Sequence, residues 1–140
     1  MWLFELSEWY LKRKGIHYRT PKAFSSRGER MVASVLSKFG IEFQTQFPFH
    51  YLHVDFAIMK DGKLMFIEYD GIQHYQPVKK FGGMNSFIVQ FIQDRLLNWQ
   101  CKDEGIPMLR IKYNSSFRYI ERKIKLLSPH VIEQLTVECL

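Results

Sequence analysis

The sequence predicts an α/β fold in which a mixed β-sheet is flanked by helices, and two features carry that prediction. The apolar runs 54–59 and 64–67, rich in β-branched and aromatic residues, flank a glycine-containing turn at 60–63, a pattern typical of a β-hairpin. Stretches with apolar residues at helical spacing lie before and after this hairpin. The resulting element order, α-α-β-β-β-α-β-α with a short last helix, is that of one α/β domain.

Length and composition agree with a single folded domain. The chain has 140 residues, of which 46% are hydrophobic and 16% aromatic, so it can bury a sizeable core without disulfide bonds. Cys101 and Cys139 are far apart and form no metal or redox motif, which favours a cytoplasmic setting, or a host-cell cytoplasm for a phage protein. No apolar run approaches the ~20 residues of a membrane span, and no signal peptide is expected.

Two helices are predicted before the hairpin. Residues 2–14 place apolar and aromatic side chains at helical spacing, and a second helix opens at Ser26 and closes at Gly40. Ser26 and Glu29 match a capping box, in which the Glu29 carboxylate bonds back to the Ser26 amide. The alternative is that Glu29 belongs to an acidic site.

The other elements surround the hairpin in the sequence. A first strand is expected over 41–47, ended by the proline that follows. After the hairpin and a flexible, basic loop, a helix is expected from residue 85 or 86 to 104, closed by a glycine, and then a strand over 107–113. A helix with its cap at residue 114 or 115 continues to 127. A proline at the start of the last helix suits its first turn, so helices occupy much of 115–138.

Carboxylates are concentrated at one end of the hairpin. Asp55 lies inside the first apolar run, while Glu68 and Asp70 end the second. Residues two apart on a strand share a face, so Glu68 and Asp70 are expected to be neighbours, with Asp55 facing them from the adjacent strand. Converging carboxylates repel one another unless a cation lies between them, and oxygen ligands suit Mg²⁺ or Mn²⁺. The sequence therefore predicts a metal site formed by these three side chains.

The rest of the chain is basic. The formal net charge is +6, and a basic surface around an acidic focus is expected of a protein that acts on a nucleic acid through a metal. The alternative is that the charge only aids solubility. The side chains expected to contact phosphate groups are Lys12, Arg13, Lys14, Arg19, Lys22, Arg27, Arg30, Lys79, Lys80, Arg118 and Arg122.

The run Asp55…Glu68-Tyr69-Asp70-Gly71-x-x-His74 resembles the PD-(D/E)XK nuclease superfamily, and in particular its branch around very-short-patch-repair endonucleases. The core of that superfamily, α-β-β-β-α-β, is similar to the predicted order over about 25–113, which leaves the end helices as additions. The resemblance implies a restriction-endonuclease-like core and a metal-dependent DNA endonuclease that leaves a 5′-phosphate.

The resemblance also implies a role for each matching residue. Asp55 and Glu68 stand where the superfamily has its metal-binding Asp and the acidic residue of (D/E)XK. His74 resembles the histidine that the repair-type branch uses near the scissile phosphate. Asp94 is similar to an acidic residue of that branch, and Glu29 matches a frequent Glu of the first core helix, so both roles of Glu29 stay open.

The motif departs from the superfamily at its lysine. Asp70 occupies the position two residues after Glu68, where the superfamily usually has Lys. The repair-type branch shares this kind of loss. Gln73 and His74 are then the main candidates for orienting the attacking water, and Lys79 and Lys80 of the following loop are the less favoured ones.

Three functional interpretations follow from these features. The first is an endonuclease in which Mg²⁺ activates a water and His74 acts as general base or donates to the leaving oxygen. The second is a nuclease-fold protein that binds DNA without cutting it. The third is a nuclease specific for junctions, flaps or mismatches, as a homodimer formed through the N-terminal aromatic helix. A compact single domain suits a phage or mobile-element protein.

Overall fold

One mixed sheet with helices on both faces makes up the described part of the chain. The computed structural model describes residues 26–50 and 52–127, so the predicted N-terminal helix and the last helix lie outside the described residues. The strands are β1 (Gln44–Phe49), β2 (Leu52–Lys60), β3 (Lys63–Asp70) and β4 (Met108–Lys112), in spatial order β1-β2-β3-β4, and the helices are α1 (Arg27–Lys38), α2 (Gly83–Glu104) and α3 (Phe117–Lys125). The predicted α/β class is confirmed.

The hairpin forms as the sequence predicts. β2 and β3 pair antiparallel, and Lys60 faces Lys63 across the turn. The two turn residues, Asp61 and Gly62, have φ angles of 52° and 75°, the left-handed backbone of a two-residue hairpin turn that Asp-Gly favours. This turn fixes which residues of β2 and β3 lie opposite each other.

The fourth strand adds the parallel pairing to a sheet whose other two described pairings are antiparallel. β4 pairs parallel to β3, with Glu68 opposite Arg110 and Asp70 opposite Lys112. A parallel pair needs a long crossover, and α2 supplies it. The crossover sets the basic residues of β4 directly beside the acidic end of β3.

The two faces of the sheet have separate cores. On one face α1 and α3 pack through Val32, Leu36, Ile120 and Ile124 against Phe56, Ile67 and Ile111. On the other face α2 contributes Leu97 and Cys101, which pack with Phe47, Phe49, Val54, Ala57 and Phe66. None of the three described helices has the length and hydrophobicity that a membrane span requires.

The ends of several elements differ from the prediction. β1 begins later and runs through Pro48, because an edge strand tolerates a proline that a central strand does not. α2 begins at Gly83, two to three residues earlier than expected, after a short 3₁₀ helix at Lys79–Phe81 inside the predicted loop. The cap of α3 is Ser116, whose Oγ accepts the Tyr119 N–H at 3.1 Å, and the helix ends at Lys125.

One of the two contacts of the predicted capping box is present at the start of α1. The Ser26 Oγ accepts the Glu29 N–H at 3.1 Å, which satisfies one of the amides that a helix N-terminus leaves open. Gly28 is buried beside this cap, and a Cβ at that position would lie 1.9 Å from a ring atom of Tyr69. The first turn of α1 therefore packs directly on β3.

Candidate active site

Two carboxylates replace the backbone ladder where β2 and β3 separate. Ladder pairing between these strands reaches Phe56 and Ile67 and goes no further. Beyond it the Asp55 N–H donates to Glu68 Oε1 at 2.7 Å, and the Tyr69 N–H donates to Asp55 Oδ2 at 2.8 Å. Each carboxylate is thus held by a backbone amide near the other. The predicted convergence of Asp55 and Glu68 is present in the structure.

Negative charge at this pair is unfavourable. Burial raises the pKa of Asp55 to about 6, although the Tyr69 amide opposes the shift, and the charges of Glu29 and Asp70 raise it further. Burial and the neighbouring Asp55 charge raise the pKa of Glu68 well above its ordinary value. A cation between the two groups would relieve both effects.

Glu29 belongs to the same acidic region. Glu29 is 8% exposed, and it lines the same cavity as Asp55 and Glu68. Its charge contributes to the raised pKa of Asp55. The backbone N–H of Glu29 thus takes part in the helix cap, while the residue lines the acidic cavity.

His74 and Asp94 form a second pair beside the carboxylates. His74 Nδ1 lies 2.8 Å from Asp94 Oδ2 and 3.6 Å from Asp70 Oδ1. Gln90, one turn earlier on α2, donates its Nε2 to Asp94 Oδ1 at 3.0 Å. Burial lowers the pKa of His74, but the hydrogen bond and charge of Asp94, with the charge of Asp70, outweigh it, so the pKa lies above its ordinary value.

Arg110 links Asp70 and Asp94, and this role was not predicted from the sequence. Its Nη1 donates to Asp70 Oδ1 at 2.7 Å and lies 3.8 Å from Asp94 Oδ1. Its Nε donates to Asn98 Oδ1 at 2.9 Å. The signal in the sequence was an arginine within the apolar strand β4. Its partner became evident only from the parallel register with β3.

This arrangement bears on the metal ligands expected from the sequence. The Asp70 side chain, 5% exposed, forms an ion pair with Arg110 and lies 3.6 Å from His74 Nδ1. Asp55 and Glu68 instead each accept a hydrogen bond from a backbone amide. Within 26–50 and 52–127, no three Asp, Glu, His or Cys side chains form a ready-made metal cluster. Two carboxylates with water molecules nevertheless suit Mg²⁺, which is commonly bound through one or two carboxylates.

A cavity of about 350 Å³ brings most of the predicted site residues together. Its lining is rich in carboxylates and amides and comprises Glu29, Leu52, His53, Asp55, Glu68, Tyr69, Gln73, His74, Gln90, Gln93, Asp94 and Leu97. Gln73, a candidate for orienting the attacking water, is therefore placed in the cavity wall. Lys79 and Lys80 are exposed and are not part of that lining.

The basic residues predicted to contact DNA fall into four groups, one of which is the exposed pair Lys79 and Lys80. Arg27 and Arg30 are exposed on the first turn of α1, next to Glu29 at the cavity. Arg118 and Arg122 are exposed on α3, on the opposite face of the sheet from α2. The remaining N-terminal group, Lys12, Arg13, Lys14, Arg19 and Lys22, lies outside the described residues.

Comparisons with known proteins assign no family to this chain. No family model, no curated protein and no solved structure matches it. Its function must therefore be argued from the chemistry of the cavity.

Proposed function

We propose that this protein is a metal-dependent nuclease of the PD-(D/E)XK type that hydrolyses phosphodiester bonds in DNA. One observation carries the proposal: the half-buried Asp55 and the buried Glu68, both with raised pKa values, lie in the same cavity as a histidine held by an aspartate. Perturbed carboxylates that converge in a cleft are typical of active sites. The observed order α1-β1-β2-β3-α2-β4 agrees with the restriction-endonuclease-like core that the sequence resemblance implies.

The metal-binding role in this proposal falls to Asp55 and Glu68, with Glu29 close by. Carboxylate oxygens are the donors that Mg²⁺ and Mn²⁺ prefer. When bound, such an ion polarises the phosphodiester and lowers the pKa of a coordinated water. Asp70 remains a candidate ligand from the sequence, but its ion pair with Arg110 favours a supporting role.

His74 moves the proton in this proposal. Its Nδ1–H donates to Asp94, which fixes the tautomer and leaves Nε2 for the attacking water or the leaving 3′-oxygen. Asp94 is a positioning residue, because it orients His74 and stabilises its protonated form. Gln73 lines the same cavity and can hold the water through its side-chain amide.

Arg110 supports this chemistry through Asp70 and Asp94, although it does not line the cavity itself. It holds Asp70 at 2.7 Å and also contacts the Asp94 carbonyl oxygen through Nη2 at 3.4 Å. Both partners of His74 are therefore fixed by one guanidinium. Arg110 is thus a positioning residue that keeps the histidine aligned, while basic side chains at the surface hold the DNA backbone.

Cleavage of supercoiled plasmid with Mg²⁺ or Mn²⁺ tests the proposal. Asp55→Asn and Glu68→Gln keep the size of each side chain and its hydrogen-bonding oxygen, and both should abolish nicking, as should EDTA. Asp61→Asn, in the exposed hairpin turn, is the matched control and should cut like the parent.

The outcomes separate the classes of function. Binding of plasmid without cleavage by the parent protein contradicts a nuclease that acts on ordinary duplex DNA and supports a DNA-binding protein or a structure-specific nuclease. Cleavage of branched or mismatched DNA alone supports a structure-specific enzyme. Cleavage that survives Asp55→Asn places the active site elsewhere.

A further inference from the structure

Two exposed tyrosines lie beside the candidate active site, at the edge of the sheet where β3 and β4 end. Tyr75 follows His74 directly, and Tyr113 follows the last residue of β4. Tyr75 is 45% exposed and Tyr113 is 37% exposed. Their ring centroids lie 5.8 Å apart, and the ring planes are inclined by 52°. Neither side chain lines the cavity, so the proposed function gives them no role.

Lys112 adds a positive charge to the same surface. Its Nζ lies 4.5 Å from the centroid of the Tyr75 ring and 5.9 Å from that of the Tyr113 ring, the geometry of a cation–π contact. Within the part of the chain that the structure describes, no carboxylate lies within ion-pair distance of this ammonium group. Its charge is therefore available to an anion. We call Tyr75, Lys112 and Tyr113 the tyrosine platform.

Backbone hydrogen bonds fix the platform relative to His74 and Asp70. The Tyr113 N–H donates to the Asp70 carbonyl oxygen at 2.8 Å, and the Tyr75 N–H donates to the Ile72 carbonyl oxygen at 3.0 Å. Burial raises the pKa of Tyr75, and the charge of Asp70 raises it further, as expected for a ring close to that carboxylate. The two rings are thus held in place before any ligand arrives, which lowers the entropy lost on binding.

Exposed aromatic rings around a lysine suit a strand of nucleic acid whose bases are unpaired. Each unpaired base offers a π-face that stacks on an aromatic side chain, and each nucleotide carries a phosphate that pairs with a cation. In a duplex the base faces are already stacked on one another, so they are not available to the rings. An apolar protein surface would bury the Lys112 ammonium without an anion, which is costly.

We propose that the tyrosine platform binds single-stranded DNA next to the bond to be cut, with unpaired bases stacked on Tyr75 and Tyr113 and a phosphate beside Lys112. The inference rests on the proposed function for the identity of the strand, and it extends that function. The substrate it assigns is DNA in which unpaired nucleotides adjoin the scissile phosphodiester.

Fluorescence anisotropy with a labelled oligothymidylate, in EDTA to prevent cleavage, tests this proposal. Tyr75→Ala and Tyr113→Ala should each raise the dissociation constant at least about 5-fold, as expected for the loss of one base-stacking contact, and should change the binding of a duplex less. Tyr75→Phe and Tyr113→Phe keep the ring and should bind like the parent. Phe91→Ala is the matched control and should leave the affinity unchanged, since Phe91 is also 45% exposed and also lies under a cation, with Arg95 Cζ 4.7 Å from its centroid.

Lys112→Gln supplies a second measurement. The plot of log affinity against log salt concentration should become shallower by about 0.7, the contribution of one phosphate contact to a single strand. A parent protein that does not bind the oligothymidylate overturns the proposal. So do alanine variants that bind like the parent, phenylalanine variants that bind as weakly as the alanine variants, or an unchanged salt dependence. Binding is measured without metal, so each of these results contradicts the platform and not the nuclease, whereas a failed cleavage assay leaves binding by the platform intact.

Discussion

Asp55→Asn should make the metal-free protein more stable while it abolishes cleavage. The asparagine keeps a side-chain oxygen that can accept the Tyr69 N–H, so the substitution removes charge and little else. Burial raises the pKa of Asp55 from 3.8 to about 6, and each pKa unit corresponds to about 1.4 kcal/mol. The ionised form therefore destabilises the fold by about 3 kcal/mol.

The pH dependence of this effect has a definite sign. Because the folded-state pKa is raised, the folded protein binds the proton more tightly than the unfolded chain, and stability falls as pH rises from about 4 to about 6. Roughly half of the 3 kcal/mol appears between pH 5 and 8 on this basis. The stability advantage of Asp55→Asn should accordingly grow by about 1.5 kcal/mol over that range.

Urea unfolding in EDTA at pH 5 and pH 8 measures this difference. Asp61→Asn is the control, since Asp61 is exposed in the hairpin turn, and it should show no such growth. With saturating Mg²⁺ the parent should gain stability by mass action while Asp55→Asn gains little. An Asp55→Asn protein that is less stable than the parent at both pH values would refute the reasoning, because it would show that the carboxylate is structurally satisfied.

Three further predictions concern the residues around this pair. Asp94→Asn removes the negative partner of His74 and should lower the histidine pKa, measured by NMR titration, and slow cleavage by about 10²-fold; an unchanged titration would contradict the assigned contact. Arg110→Met leaves the buried Asp70 carboxylate without its cation and should cost about 2–4 kcal/mol in urea unfolding, whereas a neutral effect would contradict that ion pair. Gly28→Ala places a methyl group on the ring that packs against α1 and should lower the free energy of unfolding by about 1–3 kcal/mol, seen as a reduced melting temperature; an unchanged melting temperature would contradict the close packing.

The acidic part of the site could be predicted because it depends on local pattern. The Asp61-Gly62 turn and the two-residue period of the strands set Asp55 beside Glu68, and these signals lie within about fifteen residues of one another. The short distance from the hairpin end to His74 likewise keeps the histidine near the carboxylates. The chemistry proposed for these residues is argued from their types and their positions in the cavity.

Other features depended on long-range packing and could not be predicted. The ion pair of Arg110 with Asp70 joins residues forty positions apart and requires the parallel pairing of β3 with β4. The orientation of α2 was equally hidden, because apolar side chains surround much of that helix. Of its apolar residues, Leu97 is buried, whereas Leu96 and Trp99 are 40% and 62% exposed.

The reciprocal hydrogen bonds at the end of the hairpin bear on which ion the site can select. Asp55 and Glu68 each commit one oxygen to a backbone amide, which leaves each carboxylate one oxygen for coordination. Under the proposed function these bonds favour monodentate coordination by each carboxylate, and most positions around the ion then fall to water and phosphate. Mg²⁺ tolerates such a shell because it keeps its waters, whereas Ca²⁺ prefers a fuller set of six to eight oxygens, often with a bidentate carboxylate. The strand backbone itself thus favours the smaller ion.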